Sequence, residues 1–330
     1  MASCMCRIVP AASTKLTSKD IFGACKVRWG IGRMNYKVEP GLYNVNEADS
    51  NSPVLVSANY KLTFDTLRKN LGGLDCWLLI LDTRGVNVWC AAGEGTFGTC
   101  ELVNRIEQAG LKELISHRTL ILPQLGASGV NANELTKRTG FSVIFGPVRA
   151  GDIKVFISDG MKATKKMRTV RFTFRDRLVL TPMEIAETLK FILPVFGVMF
   201  ILNLFVKRQF GIYDTVLCIG AILAGAFITP VLLPFIPGRA FSFKGWLMGL
   251  MWAAFAFWLF GWYAAGYWLL VAGYGLLLPA VSSFLAMNFT GASTYTSPSG
   301  VLKEMKIALP FIIGMAFIGV VLVLIKSFIE

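Results

Sequence analysis

The chain has a single histidine, His117, in 330 residues. Hydrolytic triads need an imidazole at the nucleophile and catalytic zinc usually takes several, and His117 precedes the strand-like "TLILPQL", away from any ligand loop. Both reaction classes are set aside. There is no CxxC pair and no CxxCxxC run, so by spacing the chain holds no iron–sulfur cluster of its own. The seven cysteines (Cys4, Cys6, Cys25, Cys76, Cys90, Cys100, Cys218) are odd in number and irregularly spaced, which speaks against a disulfide framework and for a reducing compartment. The opening "MASCMCRIVPAASTKLTSKD" lacks an apolar core of signal-peptide length, so the first domain is expected in the cytosol.

Apolar residues are abundant, at 54% with a mean hydropathy of +0.57, and they are concentrated after about residue 180. The first half alternates apolar and charged segments as a globular domain does, and the second carries several apolar runs of about 20 residues. The net charge of +13 invites a nucleic-acid reading. Its densest run, "KATKKMRTVRFTFRDR" (162–177), lies just before the first apolar span, where lysine and arginine set topology and meet anionic headgroups. Position therefore favours a membrane partner and no nucleic acid. The organisation read from the pattern is a poorly ordered arm (1–40), an α/β domain (41–165), a basic juxtamembrane linker (166–187) and a membrane domain (188–330).

Within the α/β domain "PVLVSAN", "CWLLILDT", "TLILPQL" and "FSVIFGPV" read as buried strands. Between them "YKLTFDTLRKNLGG", "GTCELVNRIEQAG" and "NANELTKRTG" read as helices, with Thr99 as the N-cap and Gly110 past the end of the second. Apolar strands alternating with helices give a parallel sheet covered on both faces. Ligands bind such sheets at the loops after the strands' carboxyl ends, here 57–60, 82–98, 124–129 and 146–149. The glycine-rich "LGASG" in the third loop suits a phosphate or an amide-bearing ligand, or a tight turn with no ligand.

Five candidate spans follow, 188–206, 213–235, 246–262, 266–287 and 308–328. Lys207, Arg208, Asp214, Arg239, Lys244, Lys303 and Lys306 are expected between them. With the first domain inside, Arg239, Lys244, Lys303 and Lys306 fall on the inner side, and Lys207 and Arg208 on the other. No ionisable group is expected well inside a span, so this half reads as an anchor or assembly surface rather than a pump. The aromatic run "GLMWAAFAFWLFGWYAAGYW" suits interface belts and helix packing.

The longest ligand loop contains "NVWCAAGEGTFGT" (87–99). If 87–94 is a short helix, Asn87, Cys90, Ala91 and Glu94 share a face, and Ala91, Ala92 and Gly93 add little bulk beside the thiol. Such a thiol can approach a large flat ligand closely; a buried, inert cysteine is the other reading open at this residue.

This stretch resembles the signature of the corrinoid protein of bacterial and archaeal mercury methylation (the HgcA family): Asn, Val or Ile, Trp, Cys, Ala, Ala or Gly, Gly, Lys. The likeness continues through "ANYKLTFD", "LILPQLGASGV", "KRTGF", "GPVRAGD" and "NFTGASTYTS", from about Pro40 to the last span. The resemblance implies a Rossmann-like parallel-sheet corrinoid-binding domain, related to the corrinoid iron–sulfur protein of carbon fixation, followed by an all-α transmembrane domain of about five helices. The motif would form a cap helix over the corrin, with Cys90 as catalytic residue and lower axial cobalt ligand. The chain also lacks the DxHxxG motif through which other cobalamin proteins supply a histidine. Cofactor contacts are expected from Asn87, Val88, Trp89, Cys90, Ala91, Ala92 and Gly93, and from Ser57, Asn59, Gly126, Ala127, Ser128, Gly129 and Gly146 in the neighbouring loops.

The activity implied is a cobalamin-dependent methyltransferase, anchored in the cytoplasmic membrane by several spans with its soluble domain in the cytoplasm, passing a methyl group from cobalt to Hg(II). Implied partners are a ferredoxin-like protein with two iron–sulfur clusters as electron donor, and an upstream methyl donor protein or methyl-folate. Cys4 and Cys6, in "CMC", could capture a soft cation, or be two solvent thiols on an arm. One position departs from the pattern: the family motif ends in lysine, and this chain has Glu94, which brings the opposite charge near the thiol. Two rival readings stand beside this one, a corrinoid methyl carrier with a metalloid or thiol acceptor, and a non-catalytic membrane scaffold.

Overall fold

In a computed structural model the described residues are 9–205, 211–263, 266–293, 295 and 297–329. Cys4, Cys6, Lys207 and Arg208 lie outside them. The chain divides into two units, one covering most of residues 1–171 and the other most of 172–330.

The first unit is built on a five-stranded sheet, β1 (Gly41–Val45), β2 (Val54–Ala58), β3 (Cys76–Leu81), β4 (Thr119–Leu122) and β5 (Ser142–Phe145), in the order β1-β3-β2-β4-β5. β3, β2, β4 and β5 run parallel. All four expected strands are present, and β2 and β3 are buried along their whole length, as strands covered on both faces must be. The sheet is mixed rather than purely parallel, because β1 adds to the edge antiparallel to β3. β1 carries no apolar run: "GLYNV" buries only Leu42 and Val45, and its pairing with β3 rather than its own side chains makes it a strand.

The helices of this unit are α1 (Ser18–Arg28), α2 (Lys61–Lys69), α3 (Val88–Glu94), α4 (Thr99–Ala109), α5 (Leu111–Leu114), α6 (Ala132–Thr139), α7 (Ile153–Ser158) and α8 (Lys165–Arg168). One face of the sheet packs Val54, Val56, Leu79 and Leu81 against Leu102, Ile106 and Leu135 of α4 and α6. The other packs Leu55, Leu78 and Ile80 against Phe64 and Leu67 of α2 and Phe156 of α7. The chain leaves β2 for β3 on one side and then crosses to β4 on the other, so β2 and β4 flank the switch point where ligand crevices open in such sheets.

Residues 9–27 and 31–40, expected to be a poorly ordered arm, are folded onto this unit, while 28–30 belong to the other. Ala11 bridges to Asn44 and Lys37 to Tyr60, and Ala12 is buried in the α2 face. α1 is fastened by charge: Asp20 meets Lys61 Nζ at 2.7 Å and Arg68 Nη2 at 2.8 Å, and both cations also pair with Asp65. Arg68 further donates to the carbonyls of Ser13 and Lys15. The Lys61 ammonium beside Asp20 holds its carboxyl well below the usual carboxylate range, against the burial that would raise it. α1 escapes a periodicity search because its inward positions are Gly23, Ala24 and Val27 while Ile21 and Phe22 point outward. Thr99, expected to cap α4, is its first helical residue; Gly98 is the N-cap, and the Thr99 hydroxyl accepts from Asn131 N at 2.9 Å.

The second unit is helical: α9 (Phe174–Phe205), α10 (Ile212–Leu223), a π segment (Ala224–Ile228), α11 (Thr229–Leu232), α12 (Phe241–Leu259), α13 (Trp268–Asn288) and α14 (Pro298–Ile329). Among the described residues three stretches are long and apolar enough to cross a membrane: Ile212–Leu232, Trp268–Gly291 and Ser299–Lys326. These match the second, fourth and fifth expected spans. The third overlies α12, whose hydropathy Lys244 and three tryptophans reduce, and the first runs into residues outside the described set. Asp214, Lys303 and Lys306, expected between spans, instead fall inside the stretches Ile212–Leu232 and Ser299–Lys326, towards their first residues, and Lys244 is in the first turn of α12. The π segment precedes Pro230, which cannot donate to the carbonyl four residues back.

Small residues carry the packing of this unit. A Cβ on Gly249 would stand 2.7 Å from Pro279 Cα, and one on Gly245 2.5 Å from the Ser282 carbonyl oxygen. These two glycines, four apart in "GWLMG", let α12 meet the α13 backbone closely. At one end Arg177 Nε and Lys244 Nζ, both buried, donate to the carbonyls of Val231 and Leu233, which finish the α10–α11 stretch; cations there complement the helix carbonyl end.

Candidate cofactor site at the cap helix

The loop after β3 is shaped by a residue at the end of β2. Asn59 is buried, and its Oδ1 accepts from Thr83 N at 3.2 Å, Thr83 Oγ1 at 2.9 Å and Gly85 N at 2.9 Å. Its Nδ2 donates to Asp82 Oδ1 at 3.0 Å. The single Thr83 hydroxyl proton is shared between Asn59 Oδ1 and Val86 O, the latter 2.7 Å away, and Asp82 N donates to Glu101 Oε1 at 2.9 Å, with Glu101 held by Arg105. One carboxamide thus satisfies the polar groups of a turn in which Arg84 and Gly85 both have positive φ. Asn59, expected to contact a cofactor, spends its acceptor on positioning the loop.

That turn delivers the chain into the expected short helix, α3. Asn87 caps it, its Oδ1 accepting from Cys90 N at 3.0 Å, and Gly95 ends it in the left-handed conformation. Val88, Ala91 and Ala92 are buried against the sheet face that carries α4. Trp89, Cys90, Gly93 and Glu94 are exposed. The exposed thiol removes the buried-cysteine reading.

The expected shared face of Cys90 and Ala91 is not formed. Seven residues give two turns whose inward side is 88, 91 and 92, so the alanines are small for a different reason. They let α3 lie against the loop after β4: a Cβ on Gly129 would stand 3.0 Å from Ala92 Cα and 2.2 Å from the Phe97 carbonyl oxygen. A Cβ on Gly126 would stand 2.5 Å from the Phe97 ring. Gly126 and Gly129 are thereby committed to packing under the cap, while Ala127 is half-buried and Ser128 exposed on the same loop. Open space beside the thiol comes from Gly93, where a Cβ would meet nothing within 4 Å. Glu94 is exposed and makes no ion pair or hydrogen bond among the described residues.

Two expected contacts are not brought to the cap. Ser57 is buried on the α2 side of the sheet with Leu55, by strand alternation the face opposite the cap. Gly146 is buried at the end of β5, its N–H donating to Leu122 O at 2.8 Å, with Ile121 and Phe156 beside it. Sequence reading missed Phe97, fully buried beneath the cap, and Gln124, whose Oε1 is buried without a hydrogen-bond partner in the loop after β4. The signal for Phe97 was present as a lone aromatic among glycines and threonines in "GEGTFGT".

His117 takes the structural place expected of it. Its Nε2 donates to Ser52 O at 3.0 Å and its Nδ1 accepts from Thr119 N at 3.2 Å, at the end of β4 away from the ligand loops. Those two partners require the neutral Nε2–H tautomer. Cys76, buried in β3, has its thiol pushed up to about 12 by burial. Among the described residues no three His, Cys, Asp or Glu side chains converge as a metal site.

Residues 31–157, which include the whole sheet and the cap, match the family described as CO dehydrogenase/acetyl-CoA synthase delta subunit (CdhD). Over 124 residues the chain is 36% identical to the acetyl-CoA decarbonylase/synthase complex subunit gamma of Archaeoglobus fulgidus, covering 37% of this chain and 26% of that protein. It is 32% identical over 123 residues to the subunit of the same name from Methanopyrus kandleri, with the same coverage, and 34% identical over 122 residues to that of Methanocaldococcus jannaschii, covering 36% and 25%. The chain spans about a quarter of the length of these curated relatives.

Proposed function

We propose that this protein is a membrane-anchored corrinoid methyl carrier that transfers a methyl group to Hg(II), with Cys90 as the protein's axial donor to cobalt. The observation that carries the reading is the outward thiol of Cys90 on a short helix whose opposite face is locked by Ala91 and Ala92 onto the switch-point loops. A corrinoid would ask of the protein a donor to its metal and an open approach. Cys90 beside Gly93 offers both. The relatives' printed name supports the class of chemistry, since removing the carbonyl from an acetyl group leaves a methyl group to be handled.

When bound, the corrinoid supplies the metal on which the methyl group is carried. Asn87 and the Asn59-centred loop hold the thiol at a fixed height, and Trp89, half exposed on the same outer side, offers an apolar surface beside it. Were the corrinoid held by Cys90, the thiol would supply the metal with a strong electron donor, which suits methyl transfer to an electrophile such as mercuric ion. Reduction of the metal falls to a ferredoxin-like two-cluster partner, and the methyl group to an upstream methyl donor protein or methyl-folate. The apolar helices Ile212–Leu232, Trp268–Gly291 and Ser299–Lys326 support anchoring in the cytoplasmic membrane, with α9 and α12 as the remaining two of five spans and the α/β unit in the cytoplasm.

Reconstitution with cobalamin tests the reading: the wild-type protein should show cobalt-corrin absorption bands of a thiolate-ligated form and methylate Hg(II). Cys90→Ala should retain corrinoid, lose those bands and lose methyl transfer. Full activity of Cys90→Ala at normal corrinoid loading would end the axial role. Glu94 favours one second reading, a metalloid or thiol as acceptor, because an exposed carboxylate, without an ion pair among the described residues, stands where the resembling family has lysine. Comparing these acceptors with Hg(II), in wild type and Glu94→Lys, separates the two.

A further inference from the structure

The helix α1 is folded inside out for a water-soluble domain. Its inward side carries Asp20, Gly23, Ala24 and Val27, and a Cβ on Gly23 would stand 2.6 Å from the Tyr36 hydroxyl, so small size there is enforced by packing. Its outward side shows Ile21 at 61% exposure and Phe22 at 68%, and the turn that follows adds Ile31 at 57% and Met34 at 74%. This surface is held in shape: Ile31 N donates to Lys26 O at 3.0 Å, Lys61 N to Tyr36 O at 3.0 Å, and Asp20 is tied to Lys61 and Arg68. A rigid apolar patch of this kind marks an interaction site.

The charges around it identify the occupant. Between residues 11 and 38 there are six cations, Lys15, Lys19, Lys26, Arg28, Arg33 and Lys37, and one acid, Asp20, which faces inward. Lys19, Lys26 and Arg33 are exposed, and Lys26 Nζ lies 5.9 Å from the Phe22 ring centroid, an aliphatic stem along an aromatic with its ammonium free to reach outward. Glu187, paired with Lys190, is the carboxylate beside Gly30 in this turn, so cations predominate around the patch. Aromatic and aliphatic side chains with a predominantly cationic border are the surface that settles into the headgroup region of an anionic bilayer. The same chain carries helices apolar enough to cross one, and the inference rests on the membrane anchoring proposed above. We infer that α1 and the turn to Met34 form an interfacial docking surface for anionic lipid, holding the α/β unit against the membrane. This inference does not rest on the corrinoid reading.

Cys25, exposed on the outer side of α1, provides the probe. The full chain with Cys4, Cys6, Cys90, Cys100 and Cys218 replaced by serine is labelled at Cys25 with an environment-sensitive fluorophore. It is then reconstituted into vesicles of phosphatidylcholine alone or with phosphatidylglycerol, each containing nitroxide-labelled lipid. The expected result is a blue shift and strong quenching in the anionic vesicles, little in the neutral ones, and none for a control label at Glu107→Cys on α4. Phe22→Glu should abolish the quenching, and Lys19→Gln and Lys26→Gln should each lower the docked-to-free ratio about fivefold. Unchanged thermal unfolding shows that the variants are folded. Quenching at Cys25 no greater than at the α4 control in anionic vesicles overturns the inference, as does quenching that survives Phe22→Glu. Shielding that instead rises with protein density in neutral vesicles identifies a second copy as the occupant and also overturns it.

Discussion

The two halves of this protein differ in what they leave outside: both bury large side chains, Phe257, Trp262 and Phe289 among them in the helical unit, but that unit also turns many outward. In the α/β unit bulk is inside: Leu78, Leu79, Ile80 and Leu81 of β3 are all fully buried. In the helical unit Gly245, Gly249 and Ser282 are at the crossing of α12 and α13, while Trp258, Phe311 and Phe317 point outward. Water drives large apolar side chains inward; in the bilayer proposed for the helical unit that drive is absent, and close backbone approach would hold helices together. Two elements of the α/β unit follow the second pattern. α1 and α3 both turn glycine or alanine inward and an aromatic outward, Phe22 on one and Trp89 on the other. Those are the two elements for which an external apolar contact is proposed here, a bilayer for α1 and a corrin for α3.

This contrast can be tested in steps of decreasing size. Leu79→Ala should destabilise the α/β unit by about 2–5 kcal/mol in chemical unfolding, while Phe317→Ala, on the outward side of α14, should change detergent-solubilised stability by under about 0.5 kcal/mol. Equal losses would break the comparison. Gly249→Val should cost about 1–3 kcal/mol, because the obstacle is the α13 backbone. Gly314→Ala, with open space at its Cβ, should gain up to about 1 kcal/mol from helix propensity. Asn87→Ala should cost about 1 kcal/mol through loss of the cap and loosen α3 before the sheet, visible as faster amide exchange at Cys90.

Smaller still is a pH effect at α1. Since the folded Asp20 carboxyl lies below its ordinary range, its stabilisation is full above a pKa of about 3.9 and is lost as pH falls beneath it. The difference in unfolding free energy between wild type and Asp20→Asn should therefore be constant near neutrality and shrink below pH of about 4. Smallest is Cys90→Ser, expected to leave stability within about 0.5 kcal/mol because the thiol is exposed. In native protein a maleimide should label Cys90 and spare Cys76, and labelling of Cys76 before unfolding would contradict its burial.

How much of this was legible in the sequence follows from the same contrast. β2, β3, β4 and β5 announce themselves as apolar runs because they obey the water rule. α1 did not, since its outward isoleucine and phenylalanine blur the period and its anchor, Asp20 to Lys61 and Arg68, spans more than forty residues of sequence. The cap was legible as a helix with Cys90 in it, but not which side faces in; that is decided by Phe97, Gly126 and Gly129, contacts no local spacing encodes. Ser57 was nominated from its loop position, yet strand alternation turns it to the other face.

The Asn59 carboxamide has a consequence for anyone who would move the cap elsewhere. The height and tilt of α3 are stored at the end of β2, in a side chain that grips Thr83 and Gly85, some thirty residues upstream of the motif that does the visible work. Transplanting "NVWCAAGE" alone onto another parallel sheet would carry the thiol without its aim. The portable unit is the motif together with an asparagine at the end of the neighbouring strand and the turn it holds.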